Sequence, residues 1–275
     1  FEGVKDAKLF ITNLLACRIK FDTYVIKQDF TINDENNQNW GIRTLNNEKN
    51  DVINTFSDET KTNEELVKLQ TMFYYSNPSN SNNNWVQLLL KQDGIIADGL
   101  IKILFDHAKE RFNLNNKLSY PEVSIFNFYF IEFLLWRKYK ENIQNITSSI
   151  SLDSLERKIF EKKELFKNFK FRQLNSKEHL YPQSYTEIKN SNSIGNLCLI
   201  STNQNSQGNK ESPENKRDRY KDENSSLKRL IMFQSFDSDT WKEDQIQKHE
   251  EEIITLLNES GVQIPNGEVY DISNQ

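Results

Sequence analysis

Hydrophobic residues recur at intervals of three and four along most of the first 150 residues. This spacing predicts amphipathic helices, because such positions share one face of a helix. It predicts a packed helix between Val4 and Lys20, and the pattern continues from Phe21 to Ile26. Two Asn-rich segments interrupt the pattern and are predicted to be surface loops. The loops lie at residues 33–39 and 77–84, and the further helices are predicted at residues 63–75, 85–92, 95–112 and 124–146.

The pattern changes near Ser148, where a polar Ser/Thr cluster is followed by a basic stretch. Between Glu156 and Lys177 there are eight Lys or Arg residues and three Glu residues. We therefore predict a domain boundary here, with a helical platform domain at residues 1–150 and a second domain at residues 151–275. Basic runs are commonly solvated helix faces, but this one directly precedes the most informative motif of the chain.

The second domain shows a strand, loop, strand, helix order. Residues 169–174 alternate apolar and polar side chains, as a strand does, and lead into Glu178 and His179. A second short apolar strand follows a glycine turn at Gly195, and the polar residues 203–206 suit a helix start. The fold class expected for the whole chain is therefore mainly α, with a small α+β domain after the helical one.

Composition narrows the setting. The chain has two cysteines, Cys17 and Cys198, far apart and each among apolar neighbours, so neither a disulfide framework nor a zinc knuckle is indicated. It has no apolar run long enough to span a bilayer and no signal peptide pattern, which predicts a cytoplasmic protein without a membrane partner. The net charge of −5 gives no overall attraction to nucleic acid, so any phosphate-binding surface must come from local clusters.

The residues around His179 resemble a known nuclease motif. Glu-His-Leu-Tyr-Pro-Gln at 178–183, Gly-Asn-Leu-Cys-Leu-Ile-Ser at 195–201, Asn-Gln-Asn-Ser at 203–206 and Pro-Glu-Asn-Lys at 213–216 are similar to the nuclease domain of GmrSD-type modification-dependent restriction proteins. The N-terminal half is similar to the helical middle region of the same proteins. The order of Glu-His, Asn and Asn also resembles the HNH domain of RNA-guided CRISPR nucleases. The resemblance implies a ββα-metal (HNH) endonuclease domain with flanking helices.

The resemblance implies a role for each motif residue. A neutral imidazole can take a proton from water near pH 7, so His179 is the expected general base. Glu178 is the expected metal ligand, and Asn205 would complete the metal site through its side-chain carbonyl. Asn196 would hydrogen-bond across the loop and fix His179 in its reactive orientation. Such oxygen ligands suit Mg²⁺ or Mn²⁺ better than Zn²⁺. The commoner form of the motif has Asp in place of Glu178 and His at the third position.

Several basic residues near the motif are candidate DNA contacts, because phosphate contacts come mainly from Lys and Arg. A second basic cluster follows the motif and is diluted by acidic residues, so part of it is expected to be solvated. The candidates are Arg172, Lys177, Lys210, Lys216 and Arg217.

Three functions remain open from sequence. The first is a metal-dependent HNH endonuclease that nicks or cleaves double-stranded DNA in restriction of foreign DNA. The second is an inactive or partner-dependent nucleic-acid-binding or interaction module; RNA cleavage is a third alternative. The sequence has no P-loop, so we expect the nucleotide-binding sensor domain of GmrSD-type proteins to lie outside this chain. One HNH centre cuts one strand per engagement, so a double-strand break would require either a homodimer or successive nicks.

Overall fold

The computed structural model describes the chain from residue 6 to residue 264 with several gaps. The described ranges are 6–29, 39–46, 51–56, 60–77, 84–94, 96–185, 188–204, 211–220, 225–236 and 240–264. They form a mainly helical protein with short antiparallel strand pairs, which confirms the mainly α class. Within the described residues, no helix combines the length and apolarity needed to cross a bilayer.

The chain divides into two compact units, residues 1–74 with 79–107, and residues 75–78 with 108–275. The predicted boundary near residue 150 falls inside the second of these units. The difference has a physical reason, since the strongly apolar helix after Ser124 packs with elements from the C-terminal part of the chain.

Among its described residues, the first unit contains three helices followed by most of a fourth, and two strand pairs that the hydrophobic pattern did not predict. Strand β1 pairs with β2, and β3 pairs with β4. The elements are α1 (Ala7–Tyr24), β1 (Lys27–Asp29), β2 (Asn39–Gly41), β3 (Arg43–Asn46), β4 (Asp51–Asn54), α2 (Thr60–Tyr75), α3 (Asn84–Leu90) and α4 (Ala97–Leu114).

Helix α1 begins where the Asp6 side chain accepts hydrogen bonds from the backbone N–H groups of Lys8 and Leu9. The predicted helix is present, but it has no buried residue, so the expectation that it packs its apolar residues into a core was wrong. Its apolar residues are spread around the helix rather than confined to one face; Leu9, Ile11 and Leu15 are each more than half exposed.

The second unit is built around α5. This helix starts at the N-cap Ser124, whose hydroxyl accepts from the Asn127 N–H, and it is buried from Phe126 to Trp136. A π-helical turn, Tyr139–Ile143, ends it. The remaining elements are α5 (Ile125–Lys138), α6 (Ser154–Glu161), α7 (Lys163–Lys167), β5 (Ser176–His179), a 3-10 turn (Ile194–Asn196), β6 (Leu197–Ile200), α8 (Pro213–Tyr220), α9 (Leu227–Gln234) and α10 (Glu243–Glu259).

A buried carboxylate joins α5 to α9. Glu132, in the middle of α5, accepts hydrogen bonds from the backbone N–H groups of Leu227 and Lys228 and from the Ser226 hydroxyl. It therefore caps the N-terminus of α9, where unpaired N–H groups and the helix dipole favour a negative charge. Burial nevertheless raises the pKa of Glu132 above its usual value.

The segment 169–174 forms no regular secondary structure, so the prediction of a strand here was wrong. Its alternation reflects burial of Phe169, Phe171 and Leu174 against the core. The Tyr129 hydroxyl provides the polar partners, since it accepts from the Leu174 N–H at 2.8 Å and donates to the Arg172 carbonyl at 2.7 Å. The first strand of the pair begins only at Ser176.

Candidate functional site

Two antiparallel strands carry the motif residues. In the β5–β6 pair, Glu178 lies opposite Cys198 and His179 lies opposite Leu197. All four residues of β6 are buried, which fixes the register of β5 against the core. Glu178 and His179 thus project from the last two positions of a supported strand.

The Glu178 carboxylate is held by Lys216 from α8. The Lys216 ammonium lies 2.6 Å from Glu178 Oε1 and also donates to the His179 carbonyl at 2.6 Å. The Lys216 side chain is 3% exposed and that of Glu178 is 13% exposed. This lysine was predicted as a DNA contact, but the structure shows its ammonium directed to Glu178 and to the strand end.

The His179 ring lies between a polar and an aromatic side chain. Its Nε2 atom is 3.0 Å from Asn192 Oδ1, and the Tyr120 ring packs edge-on against it with centroids 4.8 Å apart. Burial lowers the pKa of His179 below its usual value, Lys216 lowers it further, and the Asn192 hydrogen bond opposes these effects. The imidazole is therefore neutral at pH 7, as a general base must be.

Asn196 fixes the loop that follows His179. Its Oδ1 accepts from the Tyr181 N–H at 2.8 Å and from Trp241 Nε1 at 3.0 Å, while its Nδ2 donates to the Tyr181 carbonyl at 2.9 Å. The Asn196 side chain thus bridges the loop by holding the backbone of Tyr181. The His179 ring itself contacts Asn192, which the sequence analysis did not single out.

A glycine lets this loop sit against α10. A Cβ atom added to Gly195 would lie 2.2 Å from the Ile246 carbonyl oxygen and 3.0 Å from the Glu250 backbone nitrogen. Only a residue without a side chain permits this approach. The 3-10 turn and Asn196 are therefore positioned directly by the backbone of α10.

The other predicted site residues have different surroundings. Asn205 and Lys210 lie outside the described residues. Lys177 donates to the Pro121 carbonyl at 2.8 Å, and the Arg217 guanidinium lies 4.9 Å from the centre of the Phe236 ring. Arg172 is half-buried and lies within residues 169–174. The structure brings together Glu178, His179, Asn196 and Lys216, and it adds Asn192 and Tyr120.

A comparison with protein families identifies the segment of the chain that carries this site. Residues 125–256 match the family model described as GmrSD restriction endonucleases, C-terminal domain. This segment belongs to the GmrSD restriction endonuclease family. Searches of curated proteins and of solved structures found no match to the chain.

The GmrSD C-terminal domain extends from the first turn of α5 almost to the end of α10. It includes the β5–β6 pair, the Asn192 loop and Lys216, whereas Tyr120 lies just before it. Because the family consists of restriction endonucleases, the match indicates a nuclease function for this segment. Within the described part of the GmrSD domain, no group of three or more His, Cys, Asp or Glu side chains is arranged to hold a metal ion.

Sequence reasoning missed Asn192 and Tyr120 for different reasons. Asn192 lies in an Asn-Ser-Asn-Ser run that reads as an ordinary polar loop. Tyr120 reaches His179 because the Tyr120 N–H donates to the Asn192 carbonyl at 2.8 Å, next to a bridge between Ser119 and Ser193. No residue spacing in the sequence predicts this contact.

Proposed function

We propose that the GmrSD C-terminal domain of this chain is an HNH-type, ββα-metal endonuclease that hydrolyses phosphodiester bonds of double-stranded DNA. The observation that supports it most is His179 at the end of β5, neutral and hydrogen-bonded through one ring nitrogen, next to a carboxylate on the same strand. Residues 202–204, just after β6, are helical, in agreement with a ββα order.

In this proposal His179 is the general base that takes a proton from the attacking water. Asn196 holds the loop beside it through Tyr181. Lys216 holds the Glu178 carboxylate. Because the Lys216 ammonium is buried, the only phosphate it would contact is one bound at the reacting centre. Arg172, Lys177, Lys210 and Arg217 are proposed contacts to the phosphates on either side.

A divalent metal fits the chemistry of these residues. Glu178 offers a hard carboxylate in a mostly covered position, with the Lys216 ammonium 2.6 Å from its Oε1. Glu178 and Asn205 would hold Mg²⁺ or Mn²⁺, with water filling the other positions. The metal would neutralise charge on the phosphate and on the departing 3′ oxygen.

We further propose a role in restriction of foreign DNA, such as phage DNA, in a reducing cytoplasm. Both Cys17 and Cys198 are free thiols, which agrees with such a compartment. A nucleotide-binding sensor domain outside this chain is the proposed partner that selects modified DNA. The chain alone is then expected to nick DNA without GTP or ATP, with little preference for modified substrates.

The test is nicking of supercoiled plasmid with Mg²⁺, with Mn²⁺ and with EDTA. His179→Ala should lose at least about 100-fold in rate, because removal of a general base costs about 10²- to 10⁴-fold. His107→Ala is the matched control, since its ring lies against Phe73 in the first unit. Undiminished nicking by His179→Ala, or nicking in EDTA, would contradict the proposal.

Metal titrations test the ligands separately. Glu178→Ala and Asn205→Ala should both raise the Mg²⁺ concentration that gives half-maximal nicking, because each removes an inner-sphere oxygen. Circular dichroism of each variant checks that the fold is retained. A variant whose titration coincides with that of the wild type does not carry a ligand at that position.

A further inference from the structure

We infer that Asn192 is a positioning residue that holds His179 in the tautomer with its proton on Nε2, so that Nδ1 is the nitrogen that accepts a proton. The inference rests on the proposed function only for the role of His179 as a base. The tautomer is argued from the contacts of the Asn192 side-chain oxygen.

Two potential donors converge on one amide oxygen. Asn192 Oδ1 is 3.0 Å from His179 Nε2 and 2.9 Å from Gln183 Nε2. An amide oxygen only accepts hydrogen bonds, and the Gln183 amide nitrogen only donates them. His179 Nε2 must therefore carry a proton to make its bond. A neutral imidazole has a single N–H, so the lone pair that can act as a base lies on Nδ1.

The Asn192 backbone is fixed on both sides. Its carbonyl accepts from the Tyr120 N–H at 2.8 Å, and the preceding Ser191 carbonyl accepts from Asn196 Nδ2 at 2.7 Å. The following residue, Ser193, begins the 3-10 turn by accepting from the Gly195 N–H. The loop can therefore present Oδ1 to the imidazole at a set position without a contribution from bound ligand.

The ring is restrained as well as hydrogen-bonded. The Tyr120 ring meets the imidazole at an interplanar angle of 73°, and the backbone of the same residue holds Asn192. Rotation of the imidazole by half a turn would exchange Nε2 for a carbon beside Oδ1 and lose the hydrogen bond. Asn192 and Tyr120 together thus select both the tautomer and the orientation of the proposed base.

The opposite arrangement makes a different prediction. If the Asn192 amide were turned over, its Nδ2 would donate to His179 Nε2, and the proton would lie on Nδ1. An aspartate at this position separates the two cases, because a carboxylate only accepts hydrogen bonds. Asn192→Asp preserves the bond to an Nε2–H group and abolishes a bond that requires a donor.

The experiment combines NMR of ¹⁵N-labelled imidazoles with plasmid nicking by the full chain. His179→Gln assigns the His179 signals among the three histidines. In the wild type we expect the proton on Nε2, and in Asn192→Leu we expect loss of the slowly exchanging Nε2–H signal. Asn192→Asp should keep that signal. A proton on Nδ1 in the wild type, or an unchanged Nε2–H signal in Asn192→Leu, would overturn the inference.

Nicking provides the second measurement. Asn192→Leu should lower kcat by about 10- to 100-fold with little change in KM for DNA, the effect expected when the partner that orients a functional histidine is removed. Asn192→Asp should be at least about tenfold more active than Asn192→Leu. Equal activity of the aspartate and leucine variants would overturn the inference.

Asn190→Leu is the matched control, because Asn190 lies on the same loop and its side chain contacts Glu243 rather than the imidazole. It should leave the Nε2–H signal in place. Loss of this signal in Asn190→Leu would mean that the loop as a whole, and not Asn192, holds the tautomer. A wild type without nicking but with the proton on Nε2 would contradict the proposed function and leave the tautomer assignment supported.

Discussion

The contact between Gly195 and α10 allows a quantitative test of how the site is held. In Gly195→Ala the new Cβ would lie 2.2 Å from the Ile246 carbonyl oxygen, a backbone atom within a 17-residue helix. An ordinary van der Waals contact requires at least about 1 Å more, so the turn and the helix must separate by that amount. Overpacking of this kind costs about 1–3 kcal/mol, and a rigid backbone neighbour favours the upper end.

We expect Gly195→Ala to lower the free energy of unfolding by about 3 kcal/mol. For a unit of this size that loss corresponds to a fall in Tm of roughly 6–12 °C, measured by calorimetry or by urea unfolding. Gly41→Ala is the matched control, because its nearest neighbour is the Arg43 side chain at 3.0 Å, which can move aside. A loss below about 1 kcal/mol, equal to that of the control, would refute the argument that backbone contact positions the turn.

Two further predictions concern buried charge. Lys216→Met should destabilise the protein by about 3 kcal/mol, because it leaves the Glu178 carboxylate covered and unpaired. Adding Glu178→Leu to this variant should cost little more. If the two substitutions lowered the free energy of unfolding in urea by strictly additive amounts, that result would argue against the pair. Burial lowers the pKa of His249 to about 3 from 6.5, so the folded protein keeps this ring neutral while the unfolded chain binds a proton. Its contribution to stability is therefore present above pH 6.5 and is lost as the pH falls towards about 3. Between pH 7 and pH 5 the wild type should lose about 2 kcal/mol more than His249→Phe, and parallel pH profiles would contradict this account.

Local signals in the sequence account for much of the helical framework. The Ser124 N-cap and the apolar run after it predict α5, and the apolar run after Gly195 predicts β6. Residues 169–174 show the limit of such signals, since alternation reports which side chains are buried and not whether the backbone has a paired strand. There the hydrogen-bond partner is the Tyr129 hydroxyl, which no local pattern reveals.

The candidate site likewise contains residues that local sequence predicts and residues that depend on tertiary contacts. The order of the motif predicts Glu178, His179 and Asn196, because these residues belong to one short stretch of chain. Asn192 and Tyr120 could not be predicted, since their role depends on a tertiary contact between the loop before α5 and the loop before β6. For Lys216, the sequence shows only a positive charge, whereas its burial against Glu178 depends on where α8 packs.

Because α10 and Trp241 support the loop after His179, the candidate centre can assemble only after these later parts of the chain have been synthesised. During synthesis the ribosome releases His179 well before Trp241, and α10 is completed later still. Until then Asn196 lacks its Trp241 donor and the Gly195 turn has no helix to rest on. A nascent chain therefore carries the residues of the candidate centre without the framework that orients them until this segment has been translated.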